Sequence, residues 1–219
     1  AFVFTETVLG SWGGRPDRDG IDGAANLAAN QSNQPIEMIE AENPLQIIRY
    51  GLVQNSGGPG QYRGGLAIER EYQLNANEAV FTIRSDRRAC PPYGLAGGLC
   101  GTPSYNVLHR NQTATILPAL PLEKTDLLKG DRIHHIQPGA GGYGDPLLRE
   151  PEKVLQDVLE EKLTSIYAST VYGVVVARGK LNLVETIRLR KQMKAKSRAK
   201  SGTTHIEHFL DVAKIHLSK

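Results

Sequence analysis

The stretch PGAGGYGDP, Pro138 to Pro146, holds four glycines and two prolines in nine residues. A phosphate-binding P-loop of the form G-x-x-x-x-G-K-[ST] needs a lysine and a hydroxyl, and this stretch has neither. Its glycine spacing also fails the dinucleotide pattern G-x-G-x-x-G. Glycine permits close backbone approach and a positive φ. The stretch therefore predicts a tight turn between a β-rich body and the first helix, with Tyr143 packing there and Asp145 as a cap.

Upstream of this turn, short segments with alternating apolar and polar residues are separated by glycine-rich connections. Such alternation is typical of half-buried strands, and their regular recurrence predicts an antiparallel sandwich or barrel-like body. The predicted strands are FVFTETV (2–8), LQIIRYGLVQ (45–54), AIEREYQL (67–74), AVFTIRSD (79–86), YNVLHR (105–110), TATILP (113–118) and DRIHHIQ (131–137).

Downstream of the turn, the pattern changes to helical spacing. It predicts a helix over 150–163, a second helix over 165–172 that stops at Gly173, a brief strand VVVAR (174–178) and a basic amphipathic helix from Leu181. We therefore predict an α+β fold, a β-rich antiparallel body with C-terminal helices. The predicted organisation is a body over 1–147, a helical segment with a short strand over 148–179, and a basic helical tail over 180–219.

The charge distribution argues against a nucleic-acid-binding domain. Residues 180–200 carry a charge of +7, and the charges of residues 201–219 cancel. Because the net charge of the whole chain is +3, residues 1–179 form an acidic body with a charge of −4. We expect the basic tail to be a solvated helix, and docking on an acidic partner or a membrane surface is the alternative.

The remaining composition indicates a cytoplasmic protein. No apolar run approaches the roughly 18 residues of a membrane span, and the opening residues lack the basic region of a signal peptide. The spacing of Cys90 and Cys100 matches no metal or redox motif, so we expect two reduced thiols.

The loop SWGGRPDRDGIDG, residues 11–23, gathers arginines and carboxylates on a glycine-rich backbone. An arginine beside carboxylates can bind an anionic or amide-bearing substrate with two hydrogen bonds. The same charges can instead brace a long loop through internal ion pairs. The spacing alone does not choose between these two hypotheses.

Other candidate residues have ordinary interpretations. Surface salt bridges are the default for four further arginines, and adjacent histidines on a strand point to opposite faces and could hardly share one metal ion. No Ser-His-Asp or Cys-His triad and no metal-ligand spacing is evident, so no metal ligand is assigned to this chain. These arginines and histidines are Arg63, Arg84, Arg87, Arg88, His134 and His135.

Six motifs in a fixed order resemble the hydantoinase B family, specifically the C-terminal third of its B-type chain. The resemblance covers about residues 1–177. Ala140 stands where the family usually has glycine, and LEEKLTS (159–165) replaces a shorter glycine-containing turn. The basic extension beyond about Lys180 has no counterpart. The motifs are GSWGGRPDRDGIDGAAN, NQPIEMIEAENPLQI, NSGGPGQYRGGLAIEREY, PPYGLAGGLCG, PGAGGYGDPLLREPEKVLQDV and YGVVV.

The resemblance implies a hetero-oligomeric, ATP-dependent enzyme. An A-type partner would bind ATP and Mg²⁺ and phosphorylate the substrate oxygen. The B-type subunit would then complete hydrolysis of a cyclic amide such as a lactam or hydantoin. The close alternative is a ketone carboxylase of the acetone or acetophenone type, and the second is a non-catalytic structural subunit. Where family members hold a metal ion, its His and Asp ligands lie in an N-terminal portion that this chain lacks.

Within this chain we place the GGRPDRDG loop nearest the active site. The predicted substrate-binding or loop-organising residues are Gly13, Gly14, Arg15 and Asp19. Arg15 would contact an anion or a carbonyl oxygen, and Asp19 would orient Arg15. No catalytic residue can be assigned from the sequence.

Overall fold

The computed structural model describes residues 2–25, 28–29 and 34–196. Five strands form one antiparallel sheet in the order β1-β2-β7-β4-β5, and two further antiparallel pairs join β3 to β6 and β8 to β9. This architecture confirms the predicted α+β class. The strands are β1 (Leu45–Leu52), β2 (Ile68–Leu74), β3 (Glu78–Phe81), β4 (Tyr105–Arg110), β5 (Thr113–Leu117), β6 (Thr125–Leu128), β7 (Arg132–Ile136), β8 (Val176–Ala177) and β9 (Lys180–Leu181).

Most of the helices follow the glycine-rich turn, as the change of spacing predicts. The Thr164 hydroxyl caps α3 by accepting a hydrogen bond from the Tyr167 amide at 3.1 Å. Gly173 ends α3 in the left-handed region, with φ of 62°, which confirms the predicted stop. The helices are α1 (Ile36–Glu42), a 3-10 helix (Pro146–Leu148), α2 (Pro151–Leu159), α3 (Ser165–Tyr172) and α4 (Leu183–Lys196).

The central strands β2 and β7 are covered on both faces, so their charged residues are buried together with partners. One face carries the apolar cluster of Leu74 and Ile133, which packs against Leu127 of β6 and Phe81 of β3. The β3–β6 pair therefore covers one end of this face.

The predicted strand over residues 2–8 is wrong, because this segment forms no strand in the structure. It is still extended, and its side chains alternate between half-buried and exposed. Phe4 lies 6.0 Å from the Tyr72 ring, centroid to centroid, and the Gln137 amide donates to the Val8 carbonyl oxygen. Any extended segment with one covered side shows alternating apolar and polar residues. The pattern therefore does not distinguish a strand that pairs through backbone hydrogen bonds from a segment held by its side chains.

Strand β6 was missed by the sequence analysis. Its sequence, TDLL, is short and lies among polar residues, so it carries little alternation. The strand forms because it pairs with β3 over four residues, Glu78 opposite Leu128 through Phe81 opposite Thr125.

Residues 151–196, here called the helical segment, have their own apolar cluster. Within the described residues, no helix is long and apolar enough to cross a bilayer. Residues 197–219 of the predicted basic tail lie outside the described residues, and the three-part division at 147 and 179 stays a prediction. The buried members of the cluster are Val154, Leu163, Tyr167, Ala168, Val171, Tyr172 and Val174.

Candidate functional site

Four glycine-containing loops meet in a layer beside the sheet, here called the glycine-loop layer: residues 10–23, 56–66, 92–102 and 138–145. The last loop lies at the centre, because each of the others makes backbone hydrogen bonds to it. These are Gly14 N to Gly141 O at 2.9 Å, Gly58 N to Ala140 O at 2.7 Å, Leu95 N to Gly142 O at 2.9 Å, and a reciprocal pair between Tyr62 and Tyr143 at 2.8 and 3.0 Å.

Close backbone packing explains the glycines of the 138–145 loop. A Cβ atom on Gly141 would collide with the carbonyl oxygen of Tyr93. Only Gly144 in this loop has a positive φ, at 75°. Asp145 caps the 3-10 helix by accepting from the Leu147 amide at 2.8 Å, which confirms its predicted role. The loop thus organises the layer, and close approach outweighs unusual φ in that task.

A buried charge cluster of Asp19, Asp22, Arg63, Arg149 and Asp157 joins the glycine-loop layer to α2. Arg63 Nη1 donates to Asp22 at 2.7 Å, and Arg63 Nε donates to Asp157 at 3.2 Å. Arg149 Nη2 donates to Asp157 at 2.8 Å and to Asp19 at 2.8 Å. Each arginine therefore bridges one loop aspartate to the same helix aspartate.

The arginines of the buried charge cluster favour the ionised form of Asp19 and Asp22. Burial by itself would raise the pKa of Asp19, but the Arg149 guanidinium outweighs it and holds that pKa below its ordinary value. Asp22 shows the same balance with Arg63, and its pKa is also lowered. Lys162 Nζ lies 3.7 Å from an Asp22 carboxylate oxygen, so the three aspartates face three positive charges, those of Arg63, Arg149 and Lys162. Paired charges of this kind suit a structural clasp.

Gly13 and Gly14, two of the predicted site residues, line a groove of about 420 Å³ together with Arg87 and Tyr93. Five of the twelve residues that line the groove are glycines. Asp19 does not line this groove and borders instead a separate cavity of about 520 Å³ beside the buried charge cluster. The structure therefore does not bring all four predicted residues around one cavity.

The predicted pairing of Asp19 with Arg15 is wrong. Asp19 accepts from Arg149 and from the Arg63 backbone amide at 2.8 Å, so its carboxylate is already used. Arg15 lies over the Trp12 ring, 5.4 Å from its centroid. Asp19 is thus a loop-organising residue, and substrate binding by Gly13, Gly14 and Arg15 stays a prediction.

The prediction of a surface salt bridge is also wrong for Arg63, which is 3% exposed and belongs to the buried charge cluster. Arg88 is half-buried and lies 4.3 Å from the Tyr105 ring centroid. Arg84 and Arg87 are exposed, as expected. Gly64 and Gly65, which follow Arg63, are the sequence signal for its burial, because they let other backbone segments approach this part of the chain closely.

A third cavity, of about 470 Å³, lies between the sheet and the extended segment 4–8. Glu6 from that segment accepts hydrogen bonds from Arg70 and from the Tyr72 hydroxyl, both on β2. Burial raises the pKa of Tyr72 to about 12, so the hydroxyl stays protonated and can donate. Sequence reasoning missed this polar group, because Glu6 and β2 are separated by more than sixty residues.

The adjacent histidines of β7 do point to opposite faces of the sheet. His134 Nε2 lies 2.9 Å from a Glu69 carboxylate oxygen, and His135 Nδ1 lies 2.6 Å from Asn106 Oδ1. Within the described part of the chain, no group of three or more His, Cys, Asp or Glu side chains could hold a metal ion. Cys90 and Cys100 are free thiols, and burial raises the pKa of Cys100.

Comparison with known proteins places this chain in a family. The family model described as hydantoinase B/oxoprolinase matches residues 1–146. The chain is 36% identical over 193 residues to the B component of a putative D-/L-hydantoinase of Pseudomonas sp. strain NS671, an alignment that covers 87% of this chain and 32% of that protein. The chain therefore spans about a third of the length of this relative.

Two solved structures share the fold. The ATP-dependent caprolactamase from Pseudomonas jessenii matches with a TM-score of 0.72 and 26% identity, over 84% of this chain and 33% of that one. A nucleotide-free acetone carboxylase matches with a TM-score of 0.74 and 23% identity, over 89% of this chain and 31% of that one. The family model, which matches more than half of the chain, shows that the chain belongs to the hydantoinase B/oxoprolinase family.

Proposed function

We propose that this chain is part of the B-type subunit of an ATP-dependent enzyme that hydrolyses a cyclic amide, either a lactam or a hydantoin. The observation that carries the proposal is the 36% identity to a hydantoinase B component along 87% of the chain. The match to an ATP-dependent caprolactamase, whose substrate by name is a lactam, supports the same reaction class.

The proposed chemistry overcomes the low reactivity of an amide. Transfer of a phosphoryl group from ATP to the amide oxygen releases ADP and makes the amide carbon a better electrophile. Water then adds to this carbon, the C–N bond breaks as the ring nitrogen takes up a proton, and a second water releases inorganic phosphate from the acyl phosphate. In this proposal an A-type partner binds ATP and Mg²⁺ and transfers the phosphoryl group. The B-type subunit, made of this chain and an N-terminal portion, holds the activated ring.

This chain contributes the groove lined by Gly13 and Gly14. A glycine-lined wall brings main-chain atoms close to a flat ligand, because no Cβ atom stands in the way. Arg15 follows Gly14 in the same loop but does not itself line the groove. Its Nε is buried and forms no hydrogen bond to any described residue, so this donor is available to a ligand. We propose that Arg15 contacts the amide oxygen or its phosphorylated form, while Asp19 holds the loop through Arg149.

The test is an Arg15→Ala variant in a complex reconstituted with its A-type partner. Loss of a charged hydrogen bond costs about 1.5–3 kcal/mol, so kcat/KM for ring-dependent ATP hydrolysis should fall at least tenfold. Arg18→Ala is the matched control, because Arg18 lies in the same loop, is exposed and pairs only with Asp17 among the described residues. If kcat and KM both stay at the wild-type values in Arg15→Ala, the assigned contact is wrong.

The same complex separates the alternatives. ATP consumption that needs a hydantoin or lactam and no bicarbonate supports hydrolysis, whereas ATP consumption that needs a ketone and bicarbonate supports a carboxylase. The likeness to acetone carboxylase, at 23% identity, concerns the fold alone. A complex that turns over equally well without this chain would assign it a structural role.

A further inference from the structure

The cavity beside segment 4–8 has apolar and polar walls in similar proportion, and one histidine lines it. Its walls include Phe4 and Phe81, and its floor includes Leu74 and Ile133 from the central strands. His135 of β7 also lines it. At about 470 Å³ it has the size of a small-molecule pocket. The hydrogen-bonding state of His135 therefore determines which polar groups on a ligand this cavity can accept.

The amide of Asn106 fixes the hydrogen-bonding state of this histidine. Asn106 is fully buried, and its Nδ2 donates to the Pro118 carbonyl oxygen at 3.2 Å and to Ser85 Oγ at 3.0 Å. A carbonyl oxygen can only accept, so the NH₂ group must face Pro118 and the Oδ1 atom must face His135. That Oδ1 atom lies 2.6 Å from His135 Nδ1. Since Oδ1 accepts, Nδ1 carries the proton.

The other ring nitrogen, Nε2, is therefore a hydrogen-bond acceptor. Burial, and secondarily the nearby His134, lower the pKa of His135 to about 4, so the ring is neutral at pH 7. A neutral ring with its proton on Nδ1 has a lone pair on Nε2. Nε2 has no hydrogen-bond partner among the described residues, and it is not sealed from solvent. The acceptor thus opens into the cavity that His135 lines.

Among the described residues, the two carboxylates that line the cavity are already paired, and its one arginine, Arg84, is exposed to solvent. Glu6 is held by Arg70 and by the Tyr72 hydroxyl, and Asp131 is held by Arg110 at 2.9 Å. Neither carboxylate competes with His135 for a donor on a ligand. An incoming N–H group therefore meets a neutral acceptor on a buried ring, where an N–H hydrogen bond is stronger than in water.

The geometry points to a subsite for the ring of a cyclic amide, in which the amide N–H donates to His135 Nε2 and the apolar ring contacts Phe4 and Phe81. The choice of a cyclic amide rests on the proposed function, whereas the demand for an N–H donor rests on the histidine alone. The segment that walls this cavity through Val8 continues directly to Gly10 and Gly13 of the glycine-lined groove. In this arrangement His135 is a specificity-determining residue that rejects rings without an N–H.

Three ligands that differ at one position test the subsite: ε-caprolactam, its N-methyl derivative and ε-caprolactone. Each is titrated into the full chain labelled with ¹⁵N-histidine, and the His135 ring signals are followed by NMR. We expect a free protein with the proton on Nδ1, a shift of the Nε2 signal with the lactam, and binding of the other two about tenfold or more weaker. An unpaired acceptor on a buried ring costs enough to produce that ratio.

A His135→Leu variant should bind the lactam and the lactone equally, while Leu122→Ala, a fully exposed position outside the cavity, should keep the wild-type preference. Because the ligand series is measured on the wild-type chain, the test does not depend on the folding of the variant. Equal binding of all three ligands, no His135 shift with the lactam, or a proton on Nε2 in the free protein would each overturn the proposal.

The proposed function is tested separately by turnover in the reconstituted complex. N–H-selective binding without ring-dependent ATP hydrolysis would keep the subsite and reject the reaction. Ring-dependent ATP hydrolysis with equal binding of lactam and lactone would keep the proposed reaction and reject the His135 subsite.

Discussion

The glycine-loop layer is assembled by backbone contacts, whereas the helical segment is assembled by apolar side chains. In the layer, loops distant in sequence make direct main-chain hydrogen bonds, such as Gly14 to Gly141 and Tyr62 to Tyr143. In the helical segment, residues such as Leu163 and Tyr172 fill a common apolar cluster. The buried charge cluster connects the two, because Asp157 of α2 binds Arg63 of the 56–66 loop and also binds Arg149, which in turn binds Asp19 of the 10–23 loop.

This difference determines how each region tolerates change. In a layer packed backbone against backbone, no side chain can move to relieve a clash, so adding one carbon atom to a glycine should be strongly destabilising. Truncation does not apply there, because glycine has no side chain to remove. An apolar cluster loses stability in proportion to the atoms removed and the cavity left behind. The two regions should therefore respond in opposite ways to enlargement and truncation.

The largest effect is expected for Gly64→Ala. A Cβ at this position would lie far inside contact distance of the Ala140 carbonyl oxygen and carbon, both of which are backbone atoms. Unfolding free energy should fall by more than about 4 kcal/mol, measured by urea denaturation. Gly51→Ala is the control, because its Cβ would meet nothing within 4 Å. A Gly64→Ala protein as stable as wild type would contradict the backbone-packing account.

Asp157→Ala should disrupt the connection between the glycine-loop layer and the helical segment. It leaves Arg63 and Arg149 buried with fewer partners, and removing one member of a buried ion cluster costs about 3–5 kcal/mol. Glu160→Ala, which removes an exposed carboxylate one turn further along, should change stability little. Hydrogen exchange would show whether the amides of α2 and of the 56–66 loop lose protection together. Loss in only one of them would mean that the cluster does not join the regions.

Leu163→Ala tests the helical segment by truncation. Leu163 is 1% exposed within the apolar cluster, so the substitution should cost about 3 kcal/mol. Leu159→Ala, at a position that is 60% exposed, is the control and should change stability by less than about 0.5 kcal/mol. Thermal unfolding followed by circular dichroism measures both. Equal losses would show that the cluster does not carry the stability of this segment.

Acid should weaken the sheet before it weakens the helical segment. The pKa of His135 is lowered to about 4 in the folded chain, so only the unfolded chain takes up this proton between about pH 6.5 and pH 4. The histidine contribution is complete above pH 6.5 and is lost as the pH falls, by about 2 kcal/mol between pH 7 and pH 5.

Urea denaturation at a series of pH values would reveal this slope, and the His135→Leu variant should show a shallower one. Amides of β7 should lose exchange protection before those of α3. A wild-type stability that is flat from pH 7 to pH 5 would contradict the neutral, buried state of His135.

Most of the strands and helices followed from local patterns. Alternation located β1, β2, β4, β5 and β7, and Gly173 marked the end of α3. The errors have a common physical source, because pairing is a tertiary event. Residues 2–8 alternate without a ladder, and β6 forms a strand through its pairing with β3 although its own pattern is weak.

The candidate site was less predictable. Loop composition indicated that charges between Gly13 and Asp22 matter, and the two hypotheses were substrate contact and internal bracing. The structure assigns bracing to Asp19 and Asp22, because Arg63 and Arg149 arrive from distant segments. No local signal could pair Asp19 with a residue 130 positions away.

The sequence by itself determined the family, the class of fold and the demand for glycine at the central turn, since each follows from residue types in a fixed order. Only the tertiary structure decided which charges pair, that His135 is a neutral acceptor, and that Gly13 and Asp19 face different cavities. These properties depend on burial and on distances between separate segments. A residue type sets what a side chain can do, and its neighbours in space set which of those things it does.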